Sequence, residues 1–197
     1  MTAILKVDTI QDTSGNNIIN ESSNTITIGK SGDAVNLASG ATNNLGITMA
    51  DQWRLTANIT SNGDITSNLE RVDNTSYGKI GTGMSQSSGI FTFPSTGLYK
   101  INFNMQGFAQ ADDNVLGYIY TTTNNSSYTA DAICYLCGDG STQGSAGTLA
   151  EYFFNVTNTS THKLQFEVTS IATGGRLQGN TSYSLTNFTF IRLGDSQ

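Results

Sequence analysis

The chain has 197 residues, a length that suits one large domain or one domain with an attachment segment. Only 12% of the residues are charged, and the net charge of −6 opposes attraction to phosphate backbones, so no nucleic acid partner is expected. The 28 threonines and 20 asparagines exclude an all-α protein, because branched threonine favours strands and asparagine favours tight turns.

Residues 1–48 contain short apolar stretches separated by polar turns, beginning with Ile4, Leu5, Val7 and Ile10. The predicted strands here have only three to five residues, too few to bury a core against an ordering cost of about 1–2 kcal/mol per residue. Three copies wound about a common axis would bury these side chains against one another. We therefore predict a slender, β-rich trimeric stalk, with a disordered leader as the alternative.

Residues 49–197 show longer strands with clean period-2 alternation. In residues 98–107, Tyr99, Ile101, Phe103 and Met105 share one face and polar residues share the other. Residues 163–169 repeat this pattern, and residues 90–93 precede a turn signal at Pro94. Strands at this spacing predict a sandwich of about eight to ten strands, which forms a second domain.

Three of the predicted strands are apolar on both faces. In a two-layer sandwich the outer face normally meets water, so a strand that is apolar on both sides indicates a second partner. We predict that this partner is another subunit, with a covering loop of the same chain as the alternative. The predicted interface residues are Tyr118, Tyr120, Tyr152, Phe154, Phe188 and Phe190.

Residues that carry chemistry are few. His162, the single histidine, lies in a polar turn and is predicted to be a solvated loop residue. Cys134 and Cys137 are offset by three, which places them on opposite faces of a strand and predicts two unpaired thiols rather than a redox pair. Trp53 is predicted to pack inside the fold rather than to form an exposed sugar platform.

No catalytic residue, metal site or cofactor is predicted. Asp112, Asp113 and Asp139 have the oxygen ligands that calcium prefers, but we interpret them as solvated turn acids because the D-x-D-x-D-G pattern is absent. A carboxylate pair for glycoside hydrolysis stays an alternative, since the separation of such a pair is a three-dimensional quantity. No stretch approaches the roughly 18 apolar residues of a membrane span, so no membrane insertion or export signal is expected.

Long polar connections at residues 121–129, 138–147 and 172–179 are the predicted receptor-binding loops. They offer hydroxyl, amide and tyrosine groups with little charge, which suits a neutral glycan or lipopolysaccharide. The alternative is that they are ordinary solubilising turns. The candidate contact residues are Asn124, Asn125, Tyr128, Asp139, Gln143 and Arg176.

Two stretches resemble known families. Residues 4–17, with the Ile-Thr-Ile-Gly run at residues 26–29, resemble the N-terminal segment of tail-fibre-like structural proteins of phages. Residues 89–99, Gly-Ile-Phe-Thr-Phe-Pro-Ser-Thr-Gly-Leu-Tyr, resemble the trimeric jelly-roll head of the complement globular heads and the tumour necrosis factor family. The head resemblance extends from residue 51 to residue 193.

These resemblances imply an all-β, ten-stranded jelly-roll knob at residues 49–197 that trimerises through one sheet. They imply a bacteriophage virion fibre, assembled in the host cytoplasm, that docks on other virion proteins through Ile4, Leu5, Val7 and Ile10 and adheres to a host surface glycan or lipopolysaccharide. The chain lacks the collagenous Gly-X-Y stalk of the animal proteins. Alternatives are a structural capsid-decoration or tail-joint fibre that binds another virion protein, and a host-glycan depolymerase.

Overall fold

The computed structural model describes residues 9–11, 13–14, 17–22, 25–29, 32, 46–110, 113–138 and 144–197. Every regular element of secondary structure in these ranges is a β-strand. The chain divides into two compact units, Met1–Asn43 and Asn44–Gln197. The first unit contains β1 (Thr9–Gln11), β2 (Asn17–Ser22) and β3 (Thr25–Ile28). The second contains β4 (Met49–Leu55), β5 (Gly63–Asp64), β6 (Leu69–Arg71), β7 (Ser85–Ser87), β8 (Ile90–Thr92), β9 (Gly97–Ala109), β10 (Asn114–Thr122), β11 (Thr129–Cys137), β12 (Gly144–Val156), β13 (Lys163–Thr169), β14 (Arg176–Leu177) and β15 (Asn187–Gly194).

The described residues of the first unit form a three-stranded antiparallel sheet in the order β1-β2-β3. Its register places Ile10 opposite Ile19 and Ile19 opposite Ile28, so these three side chains form one row across the sheet. All three are exposed, at 41%, 38% and 56% respectively. We call them the isoleucine row. The predicted attachment residues Ile4, Leu5 and Val7 lie outside the described residues.

The second unit is a sandwich of two antiparallel sheets. One sheet has the order β12-β9-β15-β4-β6 with β14 beside β9, and the other has the order β11-β10-β13-β8-β7 with β5 beside β13. We call them the β9 sheet and the β10 sheet. Their ten main strands form a jelly roll, which confirms the predicted fold class.

The core lies between the two sheets and is built by strand alternation. Tyr99, Ile101, Phe103 and Met105 of β9 are all 0% exposed, as predicted. Phe166 faces them from β13, with its ring 5.1 Å from that of Phe103. Burying each such side chain contributes about 1.5–3 kcal/mol, so this interface is the main source of stability.

Close approach of the sheets depends on Gly117 of β10. A β-carbon at this position would overlap the sulfur of Met105 and the ring of Phe103 on the opposite sheet. The absence of a side chain therefore allows the large core residues of β9 to fill the space beneath β10.

One end of the β9 sheet is held by a buried carboxylate. Asp51 of β4 is 3% exposed and accepts hydrogen bonds from Arg71 Nε at 3.0 Å, Trp53 Nε1 at 3.1 Å, Tyr77 OH at 2.8 Å and Met84 N at 2.8 Å. Burial and this bond to Asp51 raise the pKa of Tyr77 to about 12. The carboxylate thus fixes the connection after β6 onto the sandwich.

Trp53 packs inside the fold, as predicted. Its side chain is 9% exposed and its ring meets the ring of Phe91 edge-on at 5.5 Å. The guanidinium of Arg71 covers it at 4.9 Å. No face of the indole is left open as a platform for a sugar.

Candidate interaction surfaces

The predicted receptor-binding residues lie at opposite ends of the sandwich. Residues 123–128 join β10 to β11 beside the pocket that contains Tyr152 and Phe154, near the start of β9. Arg176 pairs with Phe108, near the end of β9. The described loops are therefore separate surfaces, and Asp139 and Gln143 lie outside the described residues.

The loop at residues 123–128 is shaped by its first asparagine. Asn124 Oδ1 accepts hydrogen bonds from the backbone N–H groups of Ser126 and Ser127, at 3.0 and 2.9 Å. Asn125 is exposed and has a φ of 58°, a conformation that asparagine tolerates. The side chain of Asn124 therefore stabilises the turn, while Asn125 is presented to solvent.

The predicted contact residues Tyr128 and Arg176 do not project freely into solvent, because each packs against other residues of the same chain. The Tyr128 hydroxyl is buried, has no hydrogen-bond partner among the described residues, and has a pKa raised by burial. The Arg176 guanidinium lies 4.2 Å from the centre of the Phe108 ring. It also lines an open pocket of about 460 Å³ together with Thr60 and residues 171–175.

The prediction that Phe188, Phe190 and Phe154 form a subunit interface is wrong. Phe188 and Phe190 are 0% exposed within one chain, and Phe154 is 5% exposed. The physical reason is the two-residue period of a strand: these rings project from the inner face of the β9 sheet into the core. A side chain with no exposed surface has none left for a neighbouring subunit.

Tyr152 also points inward, but at the open edge between β11 and β12. It lines a pocket of about 220 Å³ with Thr121 and Asp131, whose side chains are joined by a 2.5 Å hydrogen bond from the threonine hydroxyl. Burial, with a smaller contribution from Asp131, raises the pKa of Tyr152. Its predicted contact with a neighbouring subunit stays a prediction, as do the predicted subunit contacts of Tyr118 and Tyr120.

The outer face of the β9 sheet carries apolar residues that are not among the predicted interface residues. Phe153 and Leu149 of β12 are 51% and 49% exposed. Phe153 lies opposite Lys100 of β9, and Lys100 lies opposite Ile191 of β15. We call Leu149, Phe153 and Ile191 the Phe153 face. A 2.7 Å salt bridge between Lys100 and Glu151 lies among them.

The outer face of the β10 sheet carries a second, aromatic surface. Tyr118 of β10 lies opposite Ile133 of β11, and Leu116 lies opposite Tyr135. Ile133 and Tyr135 are 41% and 50% exposed, and the Tyr118 and Tyr120 rings are 5.7 Å apart. We call Leu116, Tyr118, Tyr120, Ile133 and Tyr135 the tyrosine face.

Acidic and amide groups border the tyrosine face on β13 and β5. Glu167 lies opposite Tyr118, and Asp64 lies opposite Glu167. A hydrogen bond to Glu167 raises the pKa of Tyr120, and Gln165 Nε2 donates to Asp64 Oδ1 at 3.0 Å. This surface therefore combines aromatic faces with hydrogen-bond acceptors.

The single histidine of the chain is buried inside the fold. His162 is 7% exposed, stacks on Phe154 at 5.6 Å, and has Thr161 and Thr157 hydroxyls 3.1 and 3.2 Å from its two ring nitrogens. The prediction of a solvated histidine is wrong, because the strand end beside Phe154 covers the ring.

Both thiols are unpaired, as predicted. Cys134 is buried and Cys137 is exposed. Burial raises the pKa of Cys134 to about 11, which makes its thiolate scarce at neutral pH.

Among the described residues, no three His, Cys, Asp or Glu side chains are grouped to hold a metal ion. In the same residues, no helix is long and apolar enough to cross a membrane.

Comparisons with known proteins establish the fold only. The crystal structure of murine APRIL at pH 5.0 is similar at a TM-score of 0.53 and 10% identity, covering 74% of this chain and 98% of that one. Eiger TNF from S. frugiperda is similar at 0.54 and 10% identity, covering 77% and 96%. The sequence matches no protein-family model and no curated protein. The second unit is thus a jelly roll of the type seen in these structures.

A third similarity is weaker. PRD1 vertex protein P5 is 19% identical and covers 76% of this chain and 99% of its own, at a TM-score of 0.45. That score is too low to establish a shared fold.

Proposed function

We propose that the protein is a homotrimeric bacteriophage virion fibre or spike subunit, in which residues 49–197 form a knob that adheres to the host surface. The observation that carries the proposal is the Phe153 face. Phe153 and Leu149 are each about half exposed on a strand whose other face already packs in the core. Neither side chain has a polar atom, so water offers no compensation for this exposure.

A neighbouring subunit is the partner that this surface suits best. The resemblance to the tumour necrosis factor family implies trimerisation through one sheet, and the Phe153 face is the apolar outer surface of the β9 sheet. The Lys100–Glu151 salt bridge neutralises the two charges that lie within it, so a second apolar surface meets no unpaired charge there. Tyr152, on the same edge strand, would border the contact.

The first unit supports a role as stalk or attachment segment. The isoleucine row leaves three branched apolar side chains exposed on one sheet. Further copies of the chain or another virion protein would cover this row. The resemblance of residues 4–17 to phage tail-fibre-like proteins supports the virion location.

The proposed activity is adhesion without catalysis, cofactor or metal. Each knob would bind a host surface glycan or lipopolysaccharide weakly. Three-fold symmetry and several fibres on each particle would raise the overall affinity through effective concentration.

Two measurements test this proposal. Sedimentation equilibrium should give three times the 20.9 kDa chain mass, and the purified protein should block adsorption of the phage to its host. A folded monomer at micromolar concentration would refute the trimer. A trimer that neither binds the host nor blocks adsorption would refute the adhesin function.

The isoleucine row also suits a purely structural fibre that binds another virion protein. Pull-down with purified virion components and with host envelope separates the two functions, since the structural fibre would bind only the former. New reducing ends on host polysaccharide after incubation would instead indicate a depolymerase.

A further inference from the structure

The tyrosine face is spread over two neighbouring strands on the outer side of the β10 sheet. Its side chains alternate along β10 and β11, and the distance from Leu116 to Tyr120 along the strand is about 13 Å. Neighbouring strands lie about 4.8 Å apart, so Tyr135 and Ile133 extend the same surface sideways. A surface of this shape fits an extended chain of several linked units better than a single small molecule.

Its chemistry combines two elements. Tyrosine presents a rigid ring with apolar faces and a polar hydroxyl, which suits ligands that are apolar on one side and polar on the other. Glu167 and Asp64 supply carboxylate oxygens beside these rings, and Gln165 supplies an amide. A sugar ring has this same division, with C–H groups on its faces and hydroxyl donors around its edge.

The negative charge beside the tyrosine face favours neutral glycans over anionic ones. Two carboxylates border the tyrosine face, while Lys163, the only basic residue of β13, has its ammonium group held by the Thr159 carbonyl at 2.6 Å. An anionic sugar would meet both Glu167 and Asp64, and Lys163 is the single basic side chain on β10, β11 and β13 to set against these two carboxylates. A second copy of the same face would meet them in the same way, because two such surfaces would bring like charges together.

We infer that the tyrosine face, with Glu167 and Gln165 at its border, is the surface that binds the host glycan, and that this glycan is neutral. The inference rests on the adhesin function proposed above and names its binding surface and ligand class. The predicted loop residues Asn125 and Arg176 then lie outside the main contact.

The test uses the full-length protein with a panel of immobilised neutral hexose oligosaccharides, and oligosaccharides of the same length that contain uronic acids as the anionic comparison. Tyr118→Ala and Tyr135→Ser remove two rings of the face. Tyr183→Ser is the matched control, because Tyr183 is 68% exposed on a loop between β14 and β15. Tyr135→Phe keeps the ring and removes only the hydroxyl.

We expect saturable binding to at least one neutral oligosaccharide and no stronger binding to the anionic ones. Tyr118→Ala and Tyr135→Ser should each weaken it at least tenfold, while Tyr183→Ser leaves it unchanged and Tyr135→Phe changes it less than about threefold. Circular dichroism and thermal unfolding should show that every variant is folded. The inference is overturned if no neutral probe binds, if anionic probes bind more tightly, or if Tyr183→Ser weakens binding as much as Tyr135→Ser does.

Host adsorption separates this inference from the function on which it rests. If the wild-type protein blocks adsorption and the double variant with both Tyr118→Ala and Tyr135→Ser blocks it equally well, the adhesin function stands and the tyrosine face is the wrong surface. If the wild-type protein binds neutral oligosaccharides through this face but never blocks adsorption, the binding surface is correct and the host-adhesion role is wrong.

Discussion

The outer faces of the two sheets differ in the kind of apolar group they expose. The Phe153 face presents phenyl and aliphatic groups that have no polar atom, whereas the tyrosine face combines the aliphatic Leu116 and Ile133 with three hydroxylated rings beside carboxylates. The first kind of surface favours a permanent contact, and the second is compatible with water and with intermittent binding. The contrast suggests a permanent contact on the β9 sheet and a reversible one on the β10 sheet.

Strand β15 is apolar on both faces, but its aromatic side chains lie on the buried one. Its aromatic side chains Phe188 and Phe190 are fully buried, and its outward residue Ile191 is only partly exposed beside Lys100. A strand that is apolar on both faces therefore does not by itself identify which face meets a partner. Burial within one chain has to be known first.

The largest effect is expected inside the core. Phe188→Ala should lower the free energy of unfolding by about 3–5 kcal/mol, because its ring packs 4.4 Å from that of Phe166 and 5.1 Å from that of Phe103. Urea denaturation measures this change. A variant of normal stability but reduced molecular mass would instead place Phe188 at a subunit contact.

The next effect should appear in association rather than folding. Phe153→Ser is expected to weaken subunit association by about 2 kcal/mol or more, as for the central residues of an interface, and to leave the circular dichroism spectrum of the chain unchanged. Sedimentation velocity at decreasing concentration would show earlier dissociation than in the wild type. Equal masses for the variant and the wild type at every concentration would remove the Phe153 face from the interface.

A pH effect should come from the buried end of the β9 sheet. The pKa of Tyr77 is raised from 10 to about 12 in the folded chain, so the unfolded chain releases this proton first as the pH rises. The stabilising contribution is therefore complete below pH 10 and is lost as the pH rises toward 12. Unfolding measured across this range should show a smaller alkaline loss of stability in Tyr77→Phe, and identical slopes would contradict this assignment.

The smallest effect on the fold is expected on the tyrosine face. Tyr135→Ser should change the free energy of unfolding by no more than about 0.5 kcal/mol, as for most exposed substitutions, and should leave the molecular mass unchanged. Chemical denaturation and sedimentation measure these quantities. Loss of the proposed trimer in this variant would move the proposed subunit contact from the β9 sheet to the β10 sheet.

The functional surfaces were only partly predictable. Period-2 alternation predicted the inward residues of β9 and β13, because their polar and apolar residues separate cleanly. It failed for β12, where Tyr152, Phe153 and Phe154 are all aromatic and either face could be the core. The carboxylate of Asp51 was also missed, since its donors, from Trp53 to Met84, are spread over about thirty residues.

The sequence by itself determined that this protein is an all-β sandwich held by burial, because composition and alternation act locally along each strand. Only the tertiary structure decided which side of an apolar strand remains exposed, since that depends on which sheet covers it. The tertiary structure places Phe188 and Phe190 in the core and Phe153 on the outer surface. It also brought Tyr118, Tyr135 and Glu167 together from three strands, a juxtaposition that no local pattern contains.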